Sequence, residues 1–289
     1  MAENLPFQPL LYAQNLALRA LIGGMLAIPY RWRIPLCGWL VARILAPVAG
    51  YDARVRANLA LVLPDLPAAE VNRLVRRVPA NAGRTLMEIY SGAEFKAHVR
   101  DTPITGAGLD QIAAARAQGQ GVILVSGHFG NYDVPRAVLS ARGYAMGALY
   151  MPFANRYFNP HYRAAIAAIG LPVFPRGRRG LAGMVQHLRA GGIIGLLIDQ
   201  HMSHGAALTF FGRTAFTALS AAEMALKYNC LLVPVYGLRK PDGLTFEVVI
   251  QPAITHSTPE AMTQALNNSL EAIARQNLDQ WFWIHRRWK

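Results

Sequence analysis

Two cysteines in 289 residues, Cys37 and Cys230, are too few and too far apart for a disulfide framework or a C-x-x-C metal pair. A reducing compartment suits them. Charge is also scarce: 16% of residues are charged against 53% hydrophobic, which excludes disordered, collagen-like and low-complexity chains. Acids are the scarcer sign, 16 against 29 Lys and Arg, and only four of those 29 are lysine. A codon bias toward arginine and alanine accounts for the Arg:Lys ratio but not for the sign of the net charge, +13. That charge points to anionic partners: nucleic acid, lipid headgroups, or a phosphorylated or acidic substrate, for which the planar guanidinium fork is well shaped.

Long apolar runs are missing as well. Residues 7–30 are interrupted by Gln8, Gln14, Asn15 and Arg19, and residues 34–48 by Arg43, short of the roughly 18 uninterrupted apolar residues of a spanning helix. With no basic start and no small-residue cleavage site, a cleaved signal peptide is not expected. The pattern predicts two helices lying in or dipping into a membrane interface, with Tyr30, Trp32 and Trp39 at headgroup level and Arg31 and Arg33 on anionic phosphate. A buried helical hairpin or a single tilted span are the alternatives. Residues 1–50 are thus expected to form membrane-associating helices, and residues 51–289 one catalytic domain.

After an arginine-containing helical stretch over 52–97, short apolar runs appear at 121–126, 144–150, 192–198, 231–238 and 245–250. Runs of this length read as buried strands. Helical patterns fall between them at 134–142, 160–169, 181–189 and 220–228, with a last one at 259–276. The alternation predicts an α/β fold with a mostly parallel central sheet flanked by helices.

The segment GVILVSGHFGNYDVP, 121–135, runs from an apolar strand into Gly127-His128, with Asp133 five positions later. Five residues along a continuous helix turn about 500°, so the two side chains would not face each other there. On a strand-to-helix turn, Asp133 in the first helical turn can swing back to hold one ring nitrogen while the other abstracts a proton. An Asp capping the helix beside an exposed His is the plainer reading. Asn131 is a cap or a substrate donor. Asp199-Gln200 closes another buried run, at the strand edge where open α/β sheets bind ligands. His201 and His204 with Asp199 have ligand-like spacing, but no further scaffold for a metal is evident. Arg176 stands in a glycine-spaced arginine loop before a helix, a phosphate-binding arrangement to which Arg163 and Arg156 add charge. The end of the chain, WFWIHRRWK, interleaves tryptophans with basic residues, which suits a lipid interface, stacking on single-stranded nucleic acid, or a terminal segment docked in the core.

These pieces resemble the late acyltransferases of lipid A biosynthesis, within the lysophospholipid-acyltransferase-like superfamily, a branch that includes bacterial phosphatidylinositol mannoside acyltransferases. The similarity runs from about Arg56: Arg56-Ala57-Asn58-Leu59, Leu63-Pro64-Asp65-Leu66, the His128-x4-Asp133 segment, Met151-Pro152 leading to Asn159-Pro160, Asp199-Gln200, Phe210-Phe211-Gly212 with Thr217, and Trp283-Ile284-His285-Arg286-Arg287. It implies fatty acyl transfer from an acyl thioester, carried by acyl carrier protein or coenzyme A, to a hydroxyl of a lipid A precursor or related glycolipid. The expected location is the cytoplasmic face of the inner membrane, with no cofactor, no metal and no nucleic-acid partner. His128 would be the general base, Asp133 its orienting acid, and Asn131, Arg163, Arg176, Asp199 and Gln200 substrate-binding residues. The chain departs from the family pattern in having Asp rather than Glu at 133, His201 where many members have an acid, and no Arg-x-Arg pair downstream of Asn159-Pro160. The last departure raises another lipid as the alternative acceptor, a phosphatidylinositol mannoside, aminolipid or lysophospholipid, although Arg163, Arg176, Arg178 and Arg179 can take the place of the missing pair. A non-catalytic basic membrane or anion binder is the rival from another class.

Overall fold

The computed structural model describes residues 6–289. Its first part is helical: α1 (Pro9–Leu26), α2 (Tyr30–Leu40), a π-helical turn (Val41–Leu45), the single turn α3 (Ala46–Val48), α4 (Tyr51–Val62), α5 (Ala68–Tyr90) and α6 (Gly92–Val99). Pro29, the left-handed Gly50 and the segment Leu63-Pro64 to Pro67 set the breaks, since each disfavours continued helical backbone. Glycine lets α2 and α5 approach closely. A Cβ on Gly38 would meet the Ala80 carbonyl oxygen at 2.9 Å, and one on Gly83 would meet the Val41 side chain at 2.7 Å.

That packing corrects the expectation for two of the interfacial residues. Tyr30 is buried with its ring 4.7 Å from that of His98, and Arg33 is buried against Ser91 Oγ, the Ile28 carbonyl and Glu94. Arg33 is held inside because each polar group of its guanidinium finds a partner there, and Tyr30 packs under that guanidinium, whose carbon lies 5.2 Å from the ring centroid. Arg31, Trp32 and Trp39 stay exposed. Among the described residues no single helix is long and apolar enough to cross a membrane; Tyr30–Val48 and Tyr51–Val62 meet that length and composition only as a pair, bent by 86°.

The remainder alternates strand and helix: β1 (Ile104–Thr105), α7 (Gly108–Ala117), β2 (Val122–Ser126), α8 (Val134–Ala141), β3 (Met146–Tyr150), α9 (Asn159–Ile169), β4 (Val173–Pro175), α10 (Arg178–Arg189), β5 (Ile193–Leu197), β6 (Ala206–Phe210), β7 (Arg213–Thr217), α11 (Ser220–Lys227), β8 (Leu231–Arg239), β9 (Phe246–Ile250) and α12 (Pro259–Gln276). Seven strands form one sheet in the order β1-β9-β8-β2-β5-β3-β4, parallel at every pair except β8 with β9. The predicted α/β class with a mostly parallel sheet is the observed one. β6 and β7 stand apart as an antiparallel hairpin, turned through Phe211 and Gly212 at positive φ.

β2 is buried at every position because helices cover both faces of the sheet. Val122 and Leu124 enter one core with α5 to α9, whereas Ile123 and Val125 enter another with α10, α11 and α12. A third core joins α4, α5, the hairpin and the end of the chain through Phe210, Phe211, Trp281 and Trp283.

Beneath the carboxyl edge of β2 lies a buried ion pair. Arg239, ending β8, donates from Nη1 and Nη2 to the two Glu88 carboxylate oxygens at 2.6 and 2.7 Å, with Glu88 side-chain exposure of 0%. Removing one member leaves the other as an uncompensated buried charge. Arg239→Met is therefore expected to lower unfolding free energy by about 3–5 kcal/mol in denaturant titration. A loss below about 1 kcal/mol, the range of an exposed pair, would contradict this account.

Candidate active site

His128 stands two residues beyond β2 and Asp199 two beyond β5. These strands are parallel neighbours with Ser126 opposite Leu197, so continuing both chains by two residues brings the two side chains out side by side. His128 Nδ1 lies 2.8 Å from Asp199 Oδ1, the His128 backbone N–H donates to Oδ2 at 2.7 Å, and Trp281 Nε1–H donates to that same oxygen at 3.0 Å. A carboxylate only accepts, so Nδ1 carries a proton, and in the neutral imidazole the lone pair is then on Nε2. Nε2 has no hydrogen-bond partner among the described residues. The His128 side chain is 22% exposed and that of Asp199 0%.

Burial alone would raise the Asp199 carboxyl, but the charge of His128 and the two hydrogen bonds from it, with a contribution from His285, hold it down at about 2. The His285 ring meets the His128 ring edge to face at 5.3 Å. Burial and the nearby charge of His128 lower its pKa, which favours a neutral second imidazole.

Asp133 is committed elsewhere. Its Oδ1 accepts from Arg136 Nε at 2.8 Å and lies 2.7 Å from Nη2. Arg136 in turn donates from Nη1 to the Ile166 and Gly170 carbonyls, tying α8 to the end of α9. The hydrogen bond expected from Asp133 to the His128 ring is thus made by Asp199. The physical reason is that Asp133 starts α8, where a partner three residues on is within reach. Asn131 is fully buried: its Nδ2 donates to Glu88 Oε2 at 2.7 Å and its Oδ1 accepts the Asp133 N–H at 2.9 Å. It is no free substrate donor; it fixes the turn between His128 and α8 to the ion pair beneath.

A cavity of about 640 Å³ opens at His128. Leu124, Met146, Ile166, Gly195 and Met224 give it a largely apolar wall, and Ser126, Asp133, Arg136, Arg176 and Gln200 contribute polar groups. Arg163 is exposed and does not line it. Among the described residues no three His, Cys, Asp or Glu side chains converge as metal ligands, so His201, His204 and Asp199 do not form the arrangement their spacing suggested.

The chain's end is docked rather than spread over an interface. Trp281 and Trp283 are buried and Arg287 is fully so, donating to the Phe216 carbonyl at 2.7 Å and Thr217 Oγ1 at 2.6 Å. Burial lowers the Arg287 guanidinium to about 10. Each of the three tryptophans in this segment has a partner for its indole N–H, namely Asp199, the Leu278 carbonyl and the Phe210 carbonyl. Sequence reasoning missed Trp281 as a site residue and Glu88 and Arg239 as its support. A lone acid within the run Leu-Met-Glu-Ile-Tyr was the available sign of a buried, paired Glu88.

The family described as bacterial lipid A biosynthesis acyltransferase matches residues 7–289. The chain is 23% identical to a lipid A biosynthesis acyltransferase of Haemophilus influenzae, covering 89% of this chain and 81% of that protein. It is 25% identical to the lipid A biosynthesis lauroyltransferase of Escherichia coli, covering 81% and 78%. It is also 23% identical to a phosphatidylinositol mannoside acyltransferase of Mycobacterium tuberculosis, covering 87% and 86%.

The Asp199 carboxyl is depressed in the folded protein from the ordinary 3.8 to about 2. The unfolded chain therefore binds this proton more readily, and the stabilisation, roughly 2 kcal/mol, is present above the unfolded value and lost as pH falls toward the folded one. Denaturant titrations across that acid window are expected to show a steeper loss for the parent protein than for Asp199→Asn. Parallel curves would contradict the assignment.

Proposed function

The chain belongs to the bacterial lipid A biosynthesis acyltransferase family, an acyltransferase by that membership, and from this premise we propose that it transfers a fatty acyl group from an acyl thioester to a hydroxyl of a membrane glycolipid, with His128 as general base. The observation that carries this reading is the Asp199–His128 pair, with Nε2 unpartnered, at the opening of a largely apolar cavity of about 640 Å³. Nε2 takes the acceptor hydroxyl proton as the oxygen attacks the thioester carbon. The buried Asp199 carboxylate stabilises the imidazolium that forms, and the imidazolium then protonates the leaving thiolate. The cavity houses the acyl chain. Asp133, held by Arg136, shapes the turn that carries His128.

The donor is anionic in either form, an acidic acyl carrier protein or coenzyme A. The side chains of exposed Arg163, Arg176, Arg178 and Arg179 make no hydrogen bond or ion pair among the described residues, and Arg176 reaches the cavity lining. Membrane attachment at the cytoplasmic face of the inner membrane falls to the first helices. Leu10, Leu21, Trp32, Trp39 and Val48 are each more than half exposed there, with Arg31 beside them, as an interfacial surface requires. No cofactor enters this chemistry. For the acceptor, lipid A precursors and phosphatidylinositol mannosides are the classes that the relatives' names supply.

Mass spectrometry of lipids formed from acyl carrier protein or coenzyme A thioesters and a panel of acceptors tests the proposal. The panel holds a lipid A precursor, a phosphatidylinositol mannoside and a lyso-aminolipid. One acceptor is expected to gain a single acyl chain, and His128→Ala is expected to slow that reaction by about 10²–10⁴-fold. No adduct on any acceptor, or an adduct formed equally by His128→Ala, would overturn the proposal.

A further inference from the structure

The base and its orienting acid leave one requirement of acyl transfer unassigned: a donor for the carbonyl oxygen that becomes negative. Four successive amides beside the ring are taken. The N–H groups of His128, Phe129, Gly130 and Asn131 donate respectively to Asp199 Oδ2, the Gly127 carbonyl at 2.8 Å, the Gln280 carbonyl at 2.9 Å and the Gly237 carbonyl at 3.1 Å. The Asn131 side chain is bound to Glu88 and Arg136 is bound to Asp133. The local backbone is held in this pattern by Gly130 at φ +54°, where a Cβ would stand 2.0 Å from the Gly237 carbonyl oxygen.

Tyr132 is differently placed. Its ring meets the His128 ring edge to face with centroids 5.4 Å apart. A second cavity, of about 230 Å³, lies between α5 and the chain's end, lined by Val78, Ala82, Leu86 and Phe282 among others. This cavity and the larger one share two lining residues, His128 and Tyr132. The Tyr132 hydroxyl has no hydrogen-bond partner among the described residues. Burial first, and then the charge of Asp133, pushes the phenol far above its ordinary range, so it keeps its proton and remains a donor. Ser126 Oγ is also buried and unpartnered, but it lines the larger cavity alone.

We propose that Tyr132, standing with His128 where the two cavities meet, is a catalytic residue whose hydroxyl donates a hydrogen bond to the carbonyl oxygen of the acyl thioester. The assignment rests on the acyl-transfer reading of the same site. As the acceptor oxygen bonds the thioester carbon, its proton passes to His128 Nε2 and the carbonyl electron pair moves onto oxygen. Tyr132 holds that oxyanion without giving up its own proton. The pair then returns, the carbon–sulfur bond breaks, and the imidazolium proton goes to the thiolate.

Infrared spectra of bound dodecanoyl thioesters, labelled with ¹³C at the carbonyl and carried by coenzyme A or acyl carrier protein, test this in a His128→Ala background where the thioester survives. The carbonyl stretch is expected to lie lower with Tyr132 present than after Tyr132→Phe. A difluorotyrosine at 132, keeping the shape and strengthening the donor, is expected to lower it further, which covers the case of a phenylalanine variant that folds poorly. In turnover, Tyr132→Phe alone is expected to reduce kcat by about 10²–10³-fold, the range for a lost oxyanion donor, with KM changed by less than about threefold. An unshifted carbonyl in all three proteins, or a change in KM alone, would overturn the role of Tyr132 and leave the acyl-transfer reading standing. Binding of neither thioester to the parent protein would overturn that reading and this assignment with it.

Discussion

The register between β2 and β5 is the constraint on which the rest of the site depends. With Ser126 opposite Leu197, the parallel strands deliver His128 and Asp199 to one edge as neighbours. A carboxylate with 0% side-chain exposure is tolerable only if its lone pairs are taken. Two of the three donors come from His128 itself and the third from Trp281. The docked end of the chain is thus part of the site. The hairpin of β6 and β7 belongs to the same arrangement, because Arg287 fastens the terminal segment to Phe216 and Thr217 and reaches the Gln200 carbonyl at 3.4 Å, one residue from Asp199.

A second buried network sets the turn that follows His128. The Glu88–Arg239 pair joins α5 to the end of β8, and Asn131 links that pair to the start of α8. Thr85 Oγ1 adds a hydrogen bond to the Gly130 carbonyl at 3.0 Å. The turn that carries His128 is therefore pinned from the sheet, from α5 and from the chain's end. Such support keeps an imidazole in one orientation beside an open cavity. Apolar surface lines the cavity and is also exposed on the outer face of the first helices.

Much of this was legible in the sequence. Apolar runs marked β2, β3, β5, β8 and β9, and a histidine emerging just past a buried strand marked the reactive edge. Asp199 was legible as a second acid on that edge. The partner of His128 was not, because chain distance favoured Asp133 while strand register, a property of two segments 71 residues apart, favoured Asp199. Local spacing also misled at the ends of the chain. Tyr30 and Arg33 have the composition of an interfacial belt, and Trp281, Trp283 and Arg287 that of a lipid-facing tail. All five are buried because distant elements satisfy their polar atoms or cover their rings. The β6–β7 hairpin escaped notice since its alternation is short and its turn, Phe211-Gly212, lacks the usual Asn-Gly signal.

The central claim is that Asp199 holds His128 with its proton on Nδ1 and leaves Nε2 as the base. The most direct measurement is the ¹⁵N and ¹H magnetic resonance of His128 in protein labelled at the imidazole nitrogens, assigned by comparison with His128→Ala. The account predicts that the neutral form of the ring keeps its proton on Nδ1, with a downfield proton signal that persists in Asp133→Asn and disappears in Asp199→Asn. A proton on Nε2, or a signal abolished by Asp133→Asn and retained in Asp199→Asn, would contradict it.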